Sequence, residues 1–387
     1  MHNYFYKKIV EMNKYINPFI TSGYVSSEYF CDREEETNQL MKEIKNGNDL
    51  ALISTRRMGK TGLIRHCFSQ KEIQEQYRTF FVDIYATKSL RDFVFALGKV
   101  LLEGLKPFGR KALEKFWNHV KSLRTGITFD PAGNPSFNLG LGNIHEPQST
   151  LDEIFSYLNK SDKPCLVAID EFQQIASYTE ENVEAILRTH IQHGNNVRFI
   201  FAGSQRHTIG NIFLSASRPF YQSASMMYLS SIPLPKYTTF AMTHFKQAGK
   251  KISQDTIEKI YQQFDGITWY VQKMLNVLYD MTPKGEVCDN ESIVYAIETT
   301  INSFQYVYSE MLFRLPEKQK ELLIAIAKEQ KAKAITSGEF VKKHHLSSSS
   351  SIQAALKGLL EKDFITKETD VYRVYDRFFG LWLNENY

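Results

Sequence analysis

The sequence predicts an α/β protein: a doubly wound parallel sheet, followed by a helical lid and a C-terminal winged-helix domain. Three observations carry this. Short apolar runs suited to buried parallel strands alternate with longer segments of helical period. The first run, Leu50–Ile53, leads through a polar loop into Gly59-Lys60-Thr61, and a later one, Leu166–Ile169, ends in Asp170-Glu171. The tail changes pattern, to three short helices and a hairpin.

The first strand and its loop read "LALISTRRMGKTGLIRHCF". This is the phosphate loop G-x-x-x-x-G-K-[ST] with Ser54 in place of the first glycine. A strand delivers such a loop, its N–H groups curl into an anion nest, and the next helix points its N-terminus at the phosphates. Gly59 allows close backbone approach, Lys60 offers an ammonium to the β/γ-phosphates, and Thr61 offers a hydroxyl to Mg²⁺. The first position mainly turns the chain out of the strand, which a small Ser can do.

"TFFVDIY" (Thr79–Tyr85) is the second strand. "SLRDFVFALGKVLLEGL" and "KALEKFWNHVKSL" follow as helices, and "ITFDPAGNPSFNLGLG" reads as an inserted hairpin around Pro131-Ala132-Gly133-Asn134, its role not given by the residues. In "KPCLVAIDEFQQI" the strand Leu166–Ile169 ends in two adjacent carboxylates, which are costly unless a positive charge sits there. A nucleotide-bound Mg²⁺ supplies it: Asp170 would hold the metal, usually through water, and Glu171 would polarise the attacking water. Taken together, the loop and this strand indicate a P-loop NTPase site. "VRFIFAGSQ" is the next strand, and Ser204 or Gln205 at its end is placed to sense the γ-phosphate or position water, or simply to turn the chain. "MMYLSSIPLP" is the fifth strand, closed by Pro233 and Pro235.

"NKSD" (Asn159–Asp162) matches a guanine-reading motif, but it precedes Asp170 instead of following a later strand, so ATP is favoured over GTP. His190, His193, His344 and His345 lack partners at metal-ligand spacing and read as packing or surface residues.

From Tyr237 to about Ile301 the pattern is helical, with a break at Asp265-Gly266, as expected of a lid following an α/β core. In the tail, "EKQKELLIAIAKE", "SGEFVKKHH" and "SSSSIQAALKGLLEKDF" are three helices, and "FITKETDVYRVYD" is a hairpin turning near Glu368-Thr369-Asp370. Residues 314–345 hold eight Lys/Arg against four Asp/Glu, yet the recognition helix starts with Ser347–Ser351 and offers no Arg before Arg373. Both double-stranded DNA and a protein partner stay open for this domain.

Bulk properties agree. At 387 residues the chain suggests two or three domains, and 43% hydrophobic with 23% charged residues suits a soluble globular protein. A net charge of +4 implies neither nucleic acid nor membrane by itself. Four cysteines without C-x-x-C spacing read as reduced, buried thiols of a cytoplasmic protein. No apolar segment approaches the roughly 18–20 residues of a membrane span. The N-terminus is too polar for a signal peptide.

Four segments together resemble the AAA-type ATPases found mainly in archaea and some bacteria, relatives of the signal-transducing ATPases with numerous domains and, more distantly, of origin-recognition initiators. They are "NPFITSGYVSSEYFCDREEE", with its Phe-x-x-Arg-Glu pattern from Phe30 to Glu34, "STRRMGKTGL", "LVAIDEFQQI" and "YRVYDRFFGLWL". The resemblance spans roughly Asn17 to Leu383. It implies an N-terminal segment 1–35 entering near the adenine, an AAA-type core 36–235 with Walker A and Walker B motifs, a lid 236–302 and a winged helix 303–387. It implies nucleotide contacts (ATP or ADP) from Arg33, Arg56, Arg57, Met58, Gly59, Lys60, Thr61 and Gly62, Mg²⁺ held by Thr61 and Asp170, and catalysis by Glu171 and Ser204. An Arg before the fifth strand reaches a neighbour's γ-phosphate in such assemblies, and Arg218 sits there, with a homo-oligomer as the consequence. The lid segment "GITWYVQK" lacks the second-sensor Arg, and Ile267-Thr268 replaces the small-Pro pair, which fits a slowly hydrolysing switch better than a ring motor. The alternative is a nucleic-acid-binding regulator or protein-partner adaptor whose nucleotide is structural.

Overall fold

The computed structural model describes residues 17–126, 128–129, 135–136, 144–204 and 206–387. Ser22–Ile232 form one compact unit; Pro233–Tyr387, with residues 17–21, form another.

The first unit is a five-stranded parallel sheet. Its strands are β1 (Leu50–Ile53), β2 (Arg78–Asp83), β5 (Cys165–Asp170), β6 (Val197–Gly203) and β7 (Ser225–Tyr228), in the order β2-β5-β6-β1-β7. β1 and β5 are buried at every residue, which is why they read as apolar runs and not as alternating ones, β5 up to its last residue, Asp170. Because β1 lies between β6 and β7, the chain ends of β1, β5 and β6 meet along one rim: Ile53 is paired with Gly203, and Asp83 with Asp170. Loops after these strands therefore converge, as expected for ligand binding at the carboxyl ends of an open α/β sheet.

The helices of this unit are α1 (Glu34–Lys45), α2 (Lys60–Ser69), α3 (Lys71–Gln76), α4 (Leu90–Leu105), α5 (Arg110–His119), α6 (Pro147–Asn159), α7 (Val183–Gln192) and α8 (Arg206–Leu214). An aromatic cluster of Phe172, Phe201, Phe213 and Phe220 fixes the segment after β5 against β6 and α8, with ring centroids 4.5–5.9 Å apart. The inserted hairpin is represented by β3 (Thr128–Phe129) and β4 (Pro135–Ser136), paired antiparallel; its turn, Pro131 to Asn134, lies outside the described residues.

The second unit begins with α9 (Leu234–Gln247), α10 (Gln254–Gln263) and α11 (Thr268–Met281), with β8 (Lys251–Ile252) paired parallel to β9 (Val287–Cys288). The long α12 (Asn290–Phe313), which the sequence reading did not single out, follows, its N-cap Asp289 accepting from the Ser292 N–H. Then come α13 (Glu317–Glu329), α14 (Gly338–Lys343), α15 (Ser349–Glu361), the antiparallel pair β10 (Ile365–Glu368) and β11 (Val371–Val374), and α16 (Arg377–Asn386). An isolated antiparallel bridge joins Ala332 to Tyr372 of this wing. Ser337, Ser348 and Asp376 cap α14, α15 and α16, each satisfying N–H groups that the first turn leaves without partners.

Lid and winged-helix segments share one core in this unit. Tyr270 of α11 is 1% exposed, stacks on Phe264 at 5.4 Å, and meets Phe378 of α16 at 5.5 Å. Its hydroxyl accepts from the Arg377 N–H at 3.0 Å and donates to the Tyr375 carbonyl at 3.3 Å. Among the described residues no helix is long and apolar enough to cross a membrane. All four cysteines are buried and none is in a disulfide.

Candidate functional site

The loop between β1 and α2 is built from two left-handed residues, and neither is Ser54. Arg57 has φ 68° and Gly59 has φ 94°. Gly59 stands as the N-cap of α2, where a left-handed φ suits glycine best. Ser54 is outside that region, so a side chain there costs no backbone strain. Its N–H extends the β1–β6 ladder to the Gly203 carbonyl at 3.3 Å, and its fully buried hydroxyl donates to the Thr55 carbonyl at 2.7 Å.

That hydroxyl also accepts from the Lys60 ammonium at 3.4 Å. Lys60 is only 6% exposed. Burial pulls its pKa down, against the opposing pull of Asp170 and Glu171. A buried ammonium with one long hydrogen bond among the described residues, and with Asp170 and Glu171 nearby, is suited to bind a phosphate anion.

Asp170, at the end of β5, is likewise buried, and burial pushes its carboxyl up although Thr61 and Lys60 favour the charged form. Thr61 donates to its Oδ2 at 2.7 Å, and the Glu171 N–H donates to its Oδ1 at 3.0 Å. Hydroxyl and carboxylate oxygens are the hard donors that Mg²⁺ takes, and the converging pair at Thr61 and Asp170 suits that ion. Among the described residues no group of three or more His, Cys, Asp or Glu could hold a metal on its own, so such an ion would complete its shell with water and phosphate oxygens.

Glu171 adopts a left-handed φ of 57° where β5 ends. Such a conformation costs about 1–3 kcal/mol and persists only where the surroundings hold it. Here they do: Oε2 accepts from Ser204 at 2.7 Å and from Gln173 Nε2 at 2.5 Å. Arg56 reaches the same Ser204 hydroxyl at 3.4 Å and lies 5.7 Å from the Tyr85 ring. Gln173 comes close because residue 203 is glycine; a Cβ there would overlap both the Gln173 amide oxygen and Ile209 Cδ1. Gln205, the other residue expected at this strand end, lies outside the described residues.

The remaining expected residues are placed differently. Arg33 is 3% exposed and its guanidinium is bound within the fold: to Glu36 at 2.5 Å, the Met58 carbonyl at 3.3 Å and the Ser230 carbonyl at 2.7 Å. It ties the phosphate loop to the segment after β7. Gly62 lies in the first turn of α2 beneath Phe30, whose ring an added Cβ would meet at 3.3 Å. Phe30 stacks on His66 at 4.4 Å, and Tyr24 reaches His66 Nδ1 at 3.0 Å. Arg218 is paired with Glu184 of α7 at 2.6 Å and is 37% exposed.

Sequence reading brought together Lys60, Thr61, Asp170, Glu171 and Ser204, and the fold gathers them. It missed Gln173, Glu184 and Arg33's grip on Met58. Only Gln173 had a signal, its place two residues after Glu171; the others depend on contacts distant along the chain. The motif "NKSD" is structural: Asp162 accepts from Arg78 at 2.8 and 2.9 Å, and Asn159 accepts from the Asn196 N–H. His190 and His344 pair with Asp152 and Glu329, at 2.7 and 2.8 Å.

Known proteins match this architecture. The signature of the ATPase domain found predominantly in Archaea covers residues 30–274, and that of a winged helix domain covers 306–385. An uncharacterized ATP-binding protein of Methanocaldococcus jannaschii is 26% identical over 161 residues, 39% of this chain and 45% of that protein, so the match spans less than half of that relative's length. Among solved structures, a Walker-type ATPase of Pyrococcus abyssi superposes with a TM-score of 0.63 at 18% identity, covering 95% of this chain and 99% of that one. The ORC2 protein of Aeropyrum pernix, solved with ADPNP and ADP, gives 0.58 at 14% identity over 95% and 96%. The ORC1 protein of the same organism, solved with DNA, gives 0.51 at 12% identity over 92% and 93%.

Proposed function

Because the chain belongs to the family of ATPases predominantly from Archaea, we propose that it binds ATP with Mg²⁺ at the β1–α2 loop and hydrolyses it slowly, as a nucleotide-dependent switch. The working parts are a core over 36–235, a lid over 236–302 and a winged helix over 303–387. The buried Lys60 ammonium, beside Asp170 and Glu171 at the tip of a left-handed loop, carries the reading.

In this scheme the loop N–H groups from Arg56 to Gly62 cradle the phosphates, and Lys60 offsets β/γ charge. Thr61 and Asp170 hold Mg²⁺, which when bound neutralises charge on the phosphate oxygens. Glu171 takes a proton from the attacking water; the water oxygen bonds to the γ-phosphorus while the bond to the bridging oxygen of ADP breaks. Ser204 and Gln173 orient the carboxylate. Arg218 acts on the γ-phosphate of a second copy, exchanging Glu184 for that phosphate. Ser204 and Gln173 already occupy one oxygen of Glu171, so the water's proton has to go to the other, which supports slow turnover.

The same observation favours a second reading, a winged-helix regulator of DNA or of a protein partner in which nucleotide is structural. One comparison separates the two. Glu171→Gln keeps ATP binding by calorimetry, and turnover falls by roughly 10²–10⁴ if Glu171 is the base. Equal turnover in both proteins removes Glu171 from catalysis, and ATP bound without turnover in either leaves the structural reading.

A further inference from the structure

A cavity of about 60 Å³ opens between the α10–α11 turn, the end of α13, β11 and α16. A water needs roughly 10–15 Å³ by this measure, so the space holds about four, the bulk of a phosphoryl group. Its lining carries three cations, Lys331, Arg373 and Arg377, against one carboxylate, Asp265.

Asp265 serves several of them at once. It is ion-paired with Arg373, lies 3.2 Å from the Lys331 ammonium and 4.0 Å from Arg377 Nη2. Arg373 and Arg377 are 19% and 17% exposed, so their charges are poorly screened by water. Burial, then the neighbouring Arg377, disfavours the charged form of Arg373. The lining thus has a positive excess of two in a half-buried site. Phe264, Ile326, Val374 and Leu381 complete the lining as apolar surface.

We infer that this cavity binds the phosphomonoester group of a small molecule. A phosphate monoester carries about −1.5 to −2 at neutral pH, which balances the excess with Asp265 still in place. Arg373 already holds Asp265 and Arg377 Nη1 donates to the Val374 carbonyl at 2.7 Å, but each planar guanidinium has further N–H donors that match phosphate oxygens in a way that a point charge does not. The phosphoryl group fills this space, so the ester's organic part stays outside the cavity. The depth of the two arginines favours a small ligand over a duplex backbone, whose phosphates track a convex surface. Ligand binding here would act on both the lid turn and the wing, because Asp265 belongs to one and Arg373 to the other.

The test uses phenyl phosphate as probe and full-length Lys60→Ala protein, so that binding at the phosphate loop does not contribute. Calorimetry is expected to show binding that strengthens between pH 5 and 7, as the second phosphate proton, of pKa about 6, leaves. Arg373→Ala and Arg373→Lys are expected to weaken it tenfold or more, the latter because it keeps the charge and loses the fork. Asp265→Asn is expected to tighten it, since the excess grows by one. Unchanged affinity in Arg373→Ala, no binding at millimolar probe in a protein with a wild-type thermal melt, or weaker binding in Asp265→Asn overturns the inference. So does duplex DNA that binds through Arg373 and displaces the probe, which would make the phosphate a nucleic-acid one.

Discussion

Thr61 donates its hydroxyl hydrogen to Asp170 Oδ2 at 2.7 Å, across 109 positions of sequence. The contact joins the first turn of α2 to the tip of β5 and favours the charged form of a carboxyl that burial pushes up. Thr61→Val removes one of the hydrogen bonds that oppose burial. Nucleotide-free protein is then expected to lose about 1.5–3 kcal/mol near neutral pH, the range for hydrogen bonds to charged groups. The loss should shrink at acid pH, where Asp170 is protonated in both proteins. Urea melts that match wild type at both pH values would show that Thr61 does not support Asp170.

Lys60→Ala is expected to abolish ATP binding, because the loop loses its buried ammonium. Ser54→Gly is expected to leave affinity nearly unchanged, since Ser54 has no left-handed backbone to relieve and its bond to Lys60 is long at 3.4 Å. Calorimetry decides both. Micromolar binding surviving in Lys60→Ala would sink the site.

Gly203→Ala should separate hydrolysis from binding. The added Cβ forces Gln173 away from the end of β6, and Glu171 loses one of the two donors that hold its left-handed conformation. Turnover is expected to change while ATP affinity stays within a few-fold. A variant with wild-type turnover would mean that Gln173 has no part in placing Glu171.

Asp49, just before β1, gives a pH signature remote from the phosphate loop. Burial pushes its carboxyl up to about 6, against the Phe199 N–H that donates to it at 2.8 Å and the nearby Arg198 and Arg188. The folded protein therefore holds this proton more tightly than the unfolded chain. Stability from this group is fully present below the unfolded pKa of about 4 and is lost as pH rises through about 6. The loss is on the order of 2–3 kcal/mol. Asp49→Asn keeps the acceptor and removes the charge, so its advantage over wild type is expected to appear between pH 4 and 6 and persist above. Chemical melts of the two proteins at pH 4 and pH 8 with equal differences would contradict it.

Arg218 tests self-association. Its pairing with Glu184 at 2.6 Å means that a trans role must displace that carboxylate. If it does, specific activity rises with protein concentration, and Arg218→Ala removes the rise while ATP affinity holds. Arginine fingers contribute on the order of 10³–10⁵ in rate where they operate. Lys60→Ala protein mixed with Arg218→Ala is then expected to restore turnover. A flat concentration curve with no rescue leaves Arg218 as a structural partner of Glu184.

By itself the sequence determined the strands, the loop and the winged-helix pattern, because these follow from local rules. Fully buried parallel strands are apolar along their length, so Leu50–Ile53 and Leu166–Ile169 announce themselves. Gly59-Lys60-Thr61 and Asp170-Glu171 are short motifs whose chemistry is carried by adjacent residues. What only the tertiary structure decided is which distant groups meet them. That Gln173 folds back onto Glu171 depends on a backbone angle of the neighbouring residue and on a glycine thirty positions on. Arg33 closes on the Met58 and Ser230 carbonyls, Arg218 on Glu184, and Asp265 on Arg373, each across a gap in sequence that periodicity cannot bridge. Charged side chains carry no period of their own: their partners are set by where the sheet order and the helix packing bring them, and burial then makes those partners obligatory.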